Sequence, residues 1–205
     1  MSLPEDISWN LSRIGTHLTV VRSSETFSGE YVDFEANSQV TKPFIREHFL
    51  EALLKYDSVI RAGDLVRTDL MDYYLTMHLT EDFLENVTIS KSAVFYKCNV
   101  SGELSRVSGE VRDSFSYKKT PVYSILKNPC YALMTSTMVG TDILQDEPIG
   151  QIETTLNYLY IPKELGVRAL DRYTPYSGEH YKIESIERFR FEGIDVCSLV
   201  EDTLE

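Results

Sequence analysis

Ile7, Leu11 and Ile14 recur at i, i+4 and i+7 behind Pro4, Glu5 and Asp6, which predicts a short amphipathic helix closed near Gly15. Thr16 to Arg22 is β-branched and half apolar. Glu30 to Glu35 alternates Tyr31, Asp33 and Glu35 against Val32 and Phe34, and both segments read as strands. Phe44 to Tyr56 places Phe44, Ile45, His48, Phe49, Ala52 and Leu53 on one helical face, with Thr41 as a cap and Pro43 near the start, so a second helix is expected there. From Val59 onward, β-branched and aromatic runs are separated by Gly, Asp and Asn, and most of the remainder is expected to be strand. Residues 115–150 hold Pro121, Pro129 and Pro148 with Gly140 and Gly150 around short apolar pieces, a density that predicts irregular connections or edge strands. The expected fold is mainly β: small β-barrel-like units, a short N-terminal helix and one further helix. It divides as 1–114, an irregular excursion over 115–150, and a C-terminal β unit over 151–205.

The chain compares with itself. Val59-Ile60-Arg61-Ala62-Gly63-Asp64 leads to Tyr73-Tyr74-Leu75, and Gly166-Val167-Arg168-Ala169-Leu170-Asp171 leads to His180-Tyr181-Lys182-Ile183. Arg-Ala-x-Asp recurs, and Asp64 to Tyr74 matches Asp171 to Tyr181 in length. Each copy then carries an aromatic turn, Phe83 in one and Phe189 or Phe191 in the other, before a closing strand with Cys98 or Cys197. The physical reading is an Asp at a bend, a hairpin and a return strand. Two ordinary hairpins would give the same matches. Neither unit buries its apolar face alone, whereas packed together or closed as small barrels they do.

Charge and composition narrow the function classes. With 20 Lys plus Arg against 32 Asp plus Glu the net charge is −12, the wrong sign for a surface that grips phosphates. No apolar run approaches the roughly 18 residues of a membrane helix, and Met1 to Asp6 is acidic where a secretory signal is basic. The three cysteines lack C-x-x-C spacing, so reduced thiols are expected. His17, His48, His78 and His180 are scattered without H-E-x-x-H spacing, and no G-x-S-x-G, P-loop or G-x-G-x-x-G occurs. Glu81-Asp82 and Glu201-Asp202 are adjacent, so on strands they point to opposite faces and form no dyad. No enzymatic role, metal or cofactor is expected.

The Gly63-Asp64 turn, hairpins centred on Tyr74-Leu75 and Tyr181-Lys182-Ile183, the turn Phe191-Glu192-Gly193-Ile194 and the closing Val200-Glu201-Asp202-Thr203 resemble those of tailed-bacteriophage head-to-tail connector proteins, the neck or head-closure proteins. The resemblance implies a virion structural protein, assembled in the host cytoplasm. It would form a homo-oligomeric ring between the capsid portal or an adaptor protein and the tail proteins. DNA would pass without specific recognition, and no membrane is involved. The 13 tyrosines suit interfaces, being large with a polar tip, and an acidic wall would repel DNA phosphates, although solubility also explains the charge. The residues singled out for assembly contacts are Phe83, Lys118, Lys119, Tyr123, Tyr131 and Phe191. The doubled unit and the 44–56 segment depart from the simplest family pattern and leave open which neck ring this is. Two alternatives stay open: another tail or baseplate structural protein, and a non-catalytic β-barrel binding module presenting Tyr73, Tyr74, Tyr158 and Tyr160.

Overall fold

The N-terminal helix runs Leu3–Ile14 (α1), with the Ser2 backbone N–H donating to Glu5 Oε2 at 2.9 Å at its start and Gly15 closing it with an N–H to the Leu11 carbonyl. Leu11 is its buried anchor. The computed structural model of the chain describes residues 2–35, 49–112, 117, 119–136, 157–176 and 178–202.

The rest is strand: β1 (Thr16–Val21), β2 (Thr26–Glu35), β3 (Phe49–Lys55), β4 (Leu65–Thr68), β5 (Tyr73–Leu84), β6 (Val87–Lys97), β7 (Val100–Arg112), β8 (Lys119–Thr135), β9 (Asn157–Pro162), β10 (Arg172–Pro175), β11 (Tyr181–Phe191) and β12 (Ile194–Glu201). These close into two antiparallel barrels, ordered β1-β2-β3-β6-β5-β4 and β10-β11-β12-β9-β8-β7. The first is filled by Leu18, Val20, Val32, Ala52, Leu54, Ile60, Val66, Tyr74 and Phe95. The second is filled by Leu104, Leu159, Ile161, Tyr173, Ile183, Cys197 and their neighbours. Closure leaves a barrel body without unpaired sheet edges.

Three expectations are corrected. The helix expected over 44–56 is, through Phe49–Lys55, strand β3; residues 44–48 lie outside the described residues. Alternation puts Leu50, Ala52 and Leu54 inside the barrel while Phe49 faces outward into a second apolar layer, so an apolar residue on each face mimics a helical period. The irregular excursion is, through Lys119–Thr135, the longest strand described. Its prolines obey strand rules: Pro121 lies where β8 pairs with β7 alone, and Pro129 sits at a register shift between Gly102 and Leu104. The boundary between the β units falls at Cys98-Asn99, well before 114, because β7 already belongs to the second barrel. Asn99 ties that junction by a side-chain exchange with the Met134 backbone, at 2.7 and 2.8 Å.

The barrels are not separate beads. Phe49, Leu75, Met77 and Tyr96 on the outside of the first meet Leu133, Tyr160, Ile194 and Val196 on the outside of the second, forming a third buried layer. Tyr160 is fully buried there, as sheet packing would have it. Gly63 and Gly193, both at positive φ, touch backbone to backbone: a β-carbon on Gly63 would lie 2.1 Å from the Gly193 carbonyl oxygen.

Candidate functional site

The repeat read from Arg-Ala-x-Asp is a fastener at one mouth of each barrel. In the first, Arg22 at the end of β1 donates Nε to Asp64 Oδ1 at 2.7 Å and Nη2 to Oδ2 at 2.6 Å, and also reaches the Val59 carbonyl. The Arg61 N–H donates to the same carboxylate. In the second, Arg106 donates to Asp171 at 2.8 and 2.7 Å and to the Gly166 carbonyl, and the Arg168 N–H completes the set. The backbone repeats as well: Thr76 N–H to Asp64 O matches Ile183 N–H to Asp171 O. In each pair the hydrogen bond to the carboxylate raises the guanidinium pKa above its ordinary value, more than burial lowers it. Bidentate geometry makes this a rigid clamp. The two arginines escaped sequence reading because they precede their aspartates by more than forty residues, outside the compared segments. The cysteine correspondence is corrected: Cys197 matches Ala93, since each lies one step beyond the same register shift, and Cys98 matches Asp202.

The six singled-out residues do not form one patch. Phe83 is 63% exposed near the tip of the β5–β6 hairpin. Lys118 lies outside the described residues. Lys119 is exposed on the β7–β8 arm, 2.7 Å from Glu110 across the ribbon, and that contact raises its pKa. Tyr123 lies lower on the same arm beneath the Arg172 guanidinium, 4.1 Å from its ring centre. Tyr131 and Phe191 belong to the seam. Tyr131 stacks on Tyr73 with centroids 3.5 Å apart, and their hydrogen bond pushes its pKa up to about 12. Phe191 is half-buried against Tyr160, which removes it from a free tip. Among the described residues the most exposed aromatic is Phe189, at 98%, which the sequence offers for the turn but which was not singled out for assembly contacts. Its near neighbour Phe191 carries the same pattern signal, so only packing separates them.

The titratable groups inside are shaped by burial. Desolvation raises the thiols of Cys130 and Cys197 to about 12, and Cys98 moves the same way. Buried Asp195 shares its sheet face with Ile161 and leaves Oδ1 without a hydrogen-bond partner; burial raises its pKa while Arg188 and Lys163 pull it down. Among the described residues no group of three or more His, Cys, Asp or Glu stands close enough to hold a metal ion. A cleft of about 170 Å³ runs between the barrels, lined in part by Arg22, Tyr73, Lys127, Tyr131 and Glu164. Two of its wall groups already serve other bonds, Arg22 to Asp64 and Glu164 to Ser23. Comparison of the chain with protein-family models, with curated proteins and with solved structures finds no match.

Proposed function

We propose that this chain is a building block of a tailed-phage neck: a structural subunit that repeats around a ring joining the capsid portal to the tail, through which DNA passes. The observation that carries the reading is the placement of exposed apolar side chains. Both barrels are closed and filled, yet Phe83, Leu84 and Val87 crown one hairpin while Val107, Val111, Val122 and Ile125 stud the β7–β8 arm. Apolar surface held on projecting hairpins costs solubility unless a partner covers it. The net charge of −12 supports a wall along which DNA slides without sticking. The test is electron microscopy of the purified chain at rising concentration, and of particles that contain it. Rings, and density at the neck, are the expected results. Location in a baseplate supports the neighbouring structural role instead, and a persistent monomer ends the assembly reading.

The inter-barrel cleft favours a second reading, a non-catalytic binding module whose ligand would touch Lys127 and Tyr131. Broadening of the Tyr73 and Tyr131 resonances by a small ligand, in a chain that stays monomeric, would replace the first reading with this one.

A further inference from the structure

The two hairpins that carry the exposed apolar groups differ in charge. Between Thr80 and Thr88 the β5–β6 hairpin holds Glu81, Asp82 and Glu85 with no Lys or Arg, and Phe83, Leu84 and Val87 are more than half exposed at its tip. The β7–β8 arm is the opposite. Lys119, Pro121, Tyr123 and Ile125 follow one another without a shift along β8, so they share one face of the ribbon. Their register partners Arg112, Glu110 and Val107 join Lys119, Pro121 and Tyr123 on that face. The arm thus presents an apolar base, where Arg172 covers one side of Tyr123, and an end where Glu110 pairs Lys119 and the exposed Arg112 supplies the remaining positive charge, on a chain that is otherwise strongly acidic.

Outside the barrel body this arm is a two-stranded ribbon, a form marginal in water without something packed on it. Among the described residues, the hairpin and the arm share no hydrogen bond or ion pair, and they belong to different barrels. We infer that the occupant of the arm is the β5–β6 hairpin of a second copy of this chain. Phe83, Leu84 and Val87 lie against Val107, Tyr123 and Ile125, and Glu85 faces Arg112. The contact is heterologous, one patch meeting a different patch, so repetition closes a ring or extends a filament. This rests on the assembly reading above and names its contact.

Sedimentation velocity on the full chain, over a range of concentration and salt, tests it. The parent chain is expected to assemble with concentration and to weaken as salt screens the charges. Arg112→Glu alone and Glu85→Lys alone each weaken assembly by roughly tenfold or more, because like charges then oppose across the contact. An equimolar mixture of the two variants recovers parent-like assembly, since each altered patch meets its complement. Phe83→Ser weakens assembly without a charge change. All these positions are exposed, so thermal unfolding should match the parent; if Glu85→Lys misfolds, Glu85→Gln with Arg112→Gln replaces the reversal. Variants that assemble as the parent does overturn the hairpin-on-arm contact and leave the ring reading standing. A parent chain that stays monomeric under every condition overturns both.

Discussion

The two barrels share a frame and differ in almost everything hung on it. Both are clamped by an arginine, just past the end of β1 in the first and midway along β7 in the second, and an aspartate at a bend, and both shift register at one matching point, Thr76/His78 and Ile183/Ser185. Where the first barrel turns from β1 to β2 within a few residues, the second projects the β7–β8 arm. Where the first buries Glu30 against Lys55 and Ser58, the second has Cys130 at the matching site. The register partners Glu81 and Lys91 of the first become Arg188 and Asp195 in the second, with the signs exchanged. The lesson is that this frame needs a clamp and a bend, while core chemistry and loops are free to diverge.

Removing the clamp carboxylate is the harshest challenge to that view. Asp171→Ala strands a guanidinium against a buried bend and should cost about 3–5 kcal/mol in urea unfolding, with Asp64→Ala close behind. Near-equal losses confirm that the frames are equivalent, and a loss below about 1 kcal/mol in either shows that the clamp is ornamental there.

The Gly63–Gly193 touch comes next, because it binds the barrels to each other. Gly63→Ala puts a β-carbon into a carbonyl oxygen at positive φ and should cost about 3 kcal/mol. The layer shared by the barrels predicts one unfolding transition for the parent, and in the variant we expect it to broaden or split, since the third layer loosens before either barrel melts. A sharp transition at the parent midpoint would mean that the seam adjusts freely.

Alkali should separate the barrels chemically. Cys130 and Cys197 titrate near 12 when folded against an ordinary value near 9, so their folded pKa is raised. The linked stability is therefore complete below pH 9 and drains away between pH 9 and 12, amounting to more than about 1 kcal/mol at the upper end. Cys197→Ala, which copies Ala93 of the first barrel, should flatten that decline in chemical unfolding followed against pH. An unchanged slope would assign the alkaline loss to other groups.

The smallest effect tests the bend. Leu170 holds the left-handed conformation that Gly63 holds in the first barrel, yet it is largely exposed. Leu170→Gly relieves backbone strain and should gain up to about 1 kcal/mol in thermal unfolding, in contrast to the loss at Gly63. A loss instead would show that its side chain matters more than its φ.

How much of this was legible depends on whether a signal was local. The helix α1 was, because Ile7, Leu11 and Ile14 repeat within one element. Asp64 and Asp171 were, because each bend and its tyrosine lie ten residues apart. Strand β3 was not, since Phe49 answers to the seam while Ala52 and Leu54 answer to the barrel, and no single element reveals two burial environments. Strand β8 was hidden by its prolines, whose tolerance depends on having a neighbour on one side only. Of the six singled-out residues, Phe83 and Lys119 are exposed, while Tyr131 and Phe191 are taken up by the junction.

That third layer has a mechanical meaning. A subunit with one core per half bends at its waist; here the waist has a buried layer of its own, and two glycines touch backbone to backbone beside it. Whatever compliance a fit demands therefore falls first to the projecting ribbons rather than to the junction.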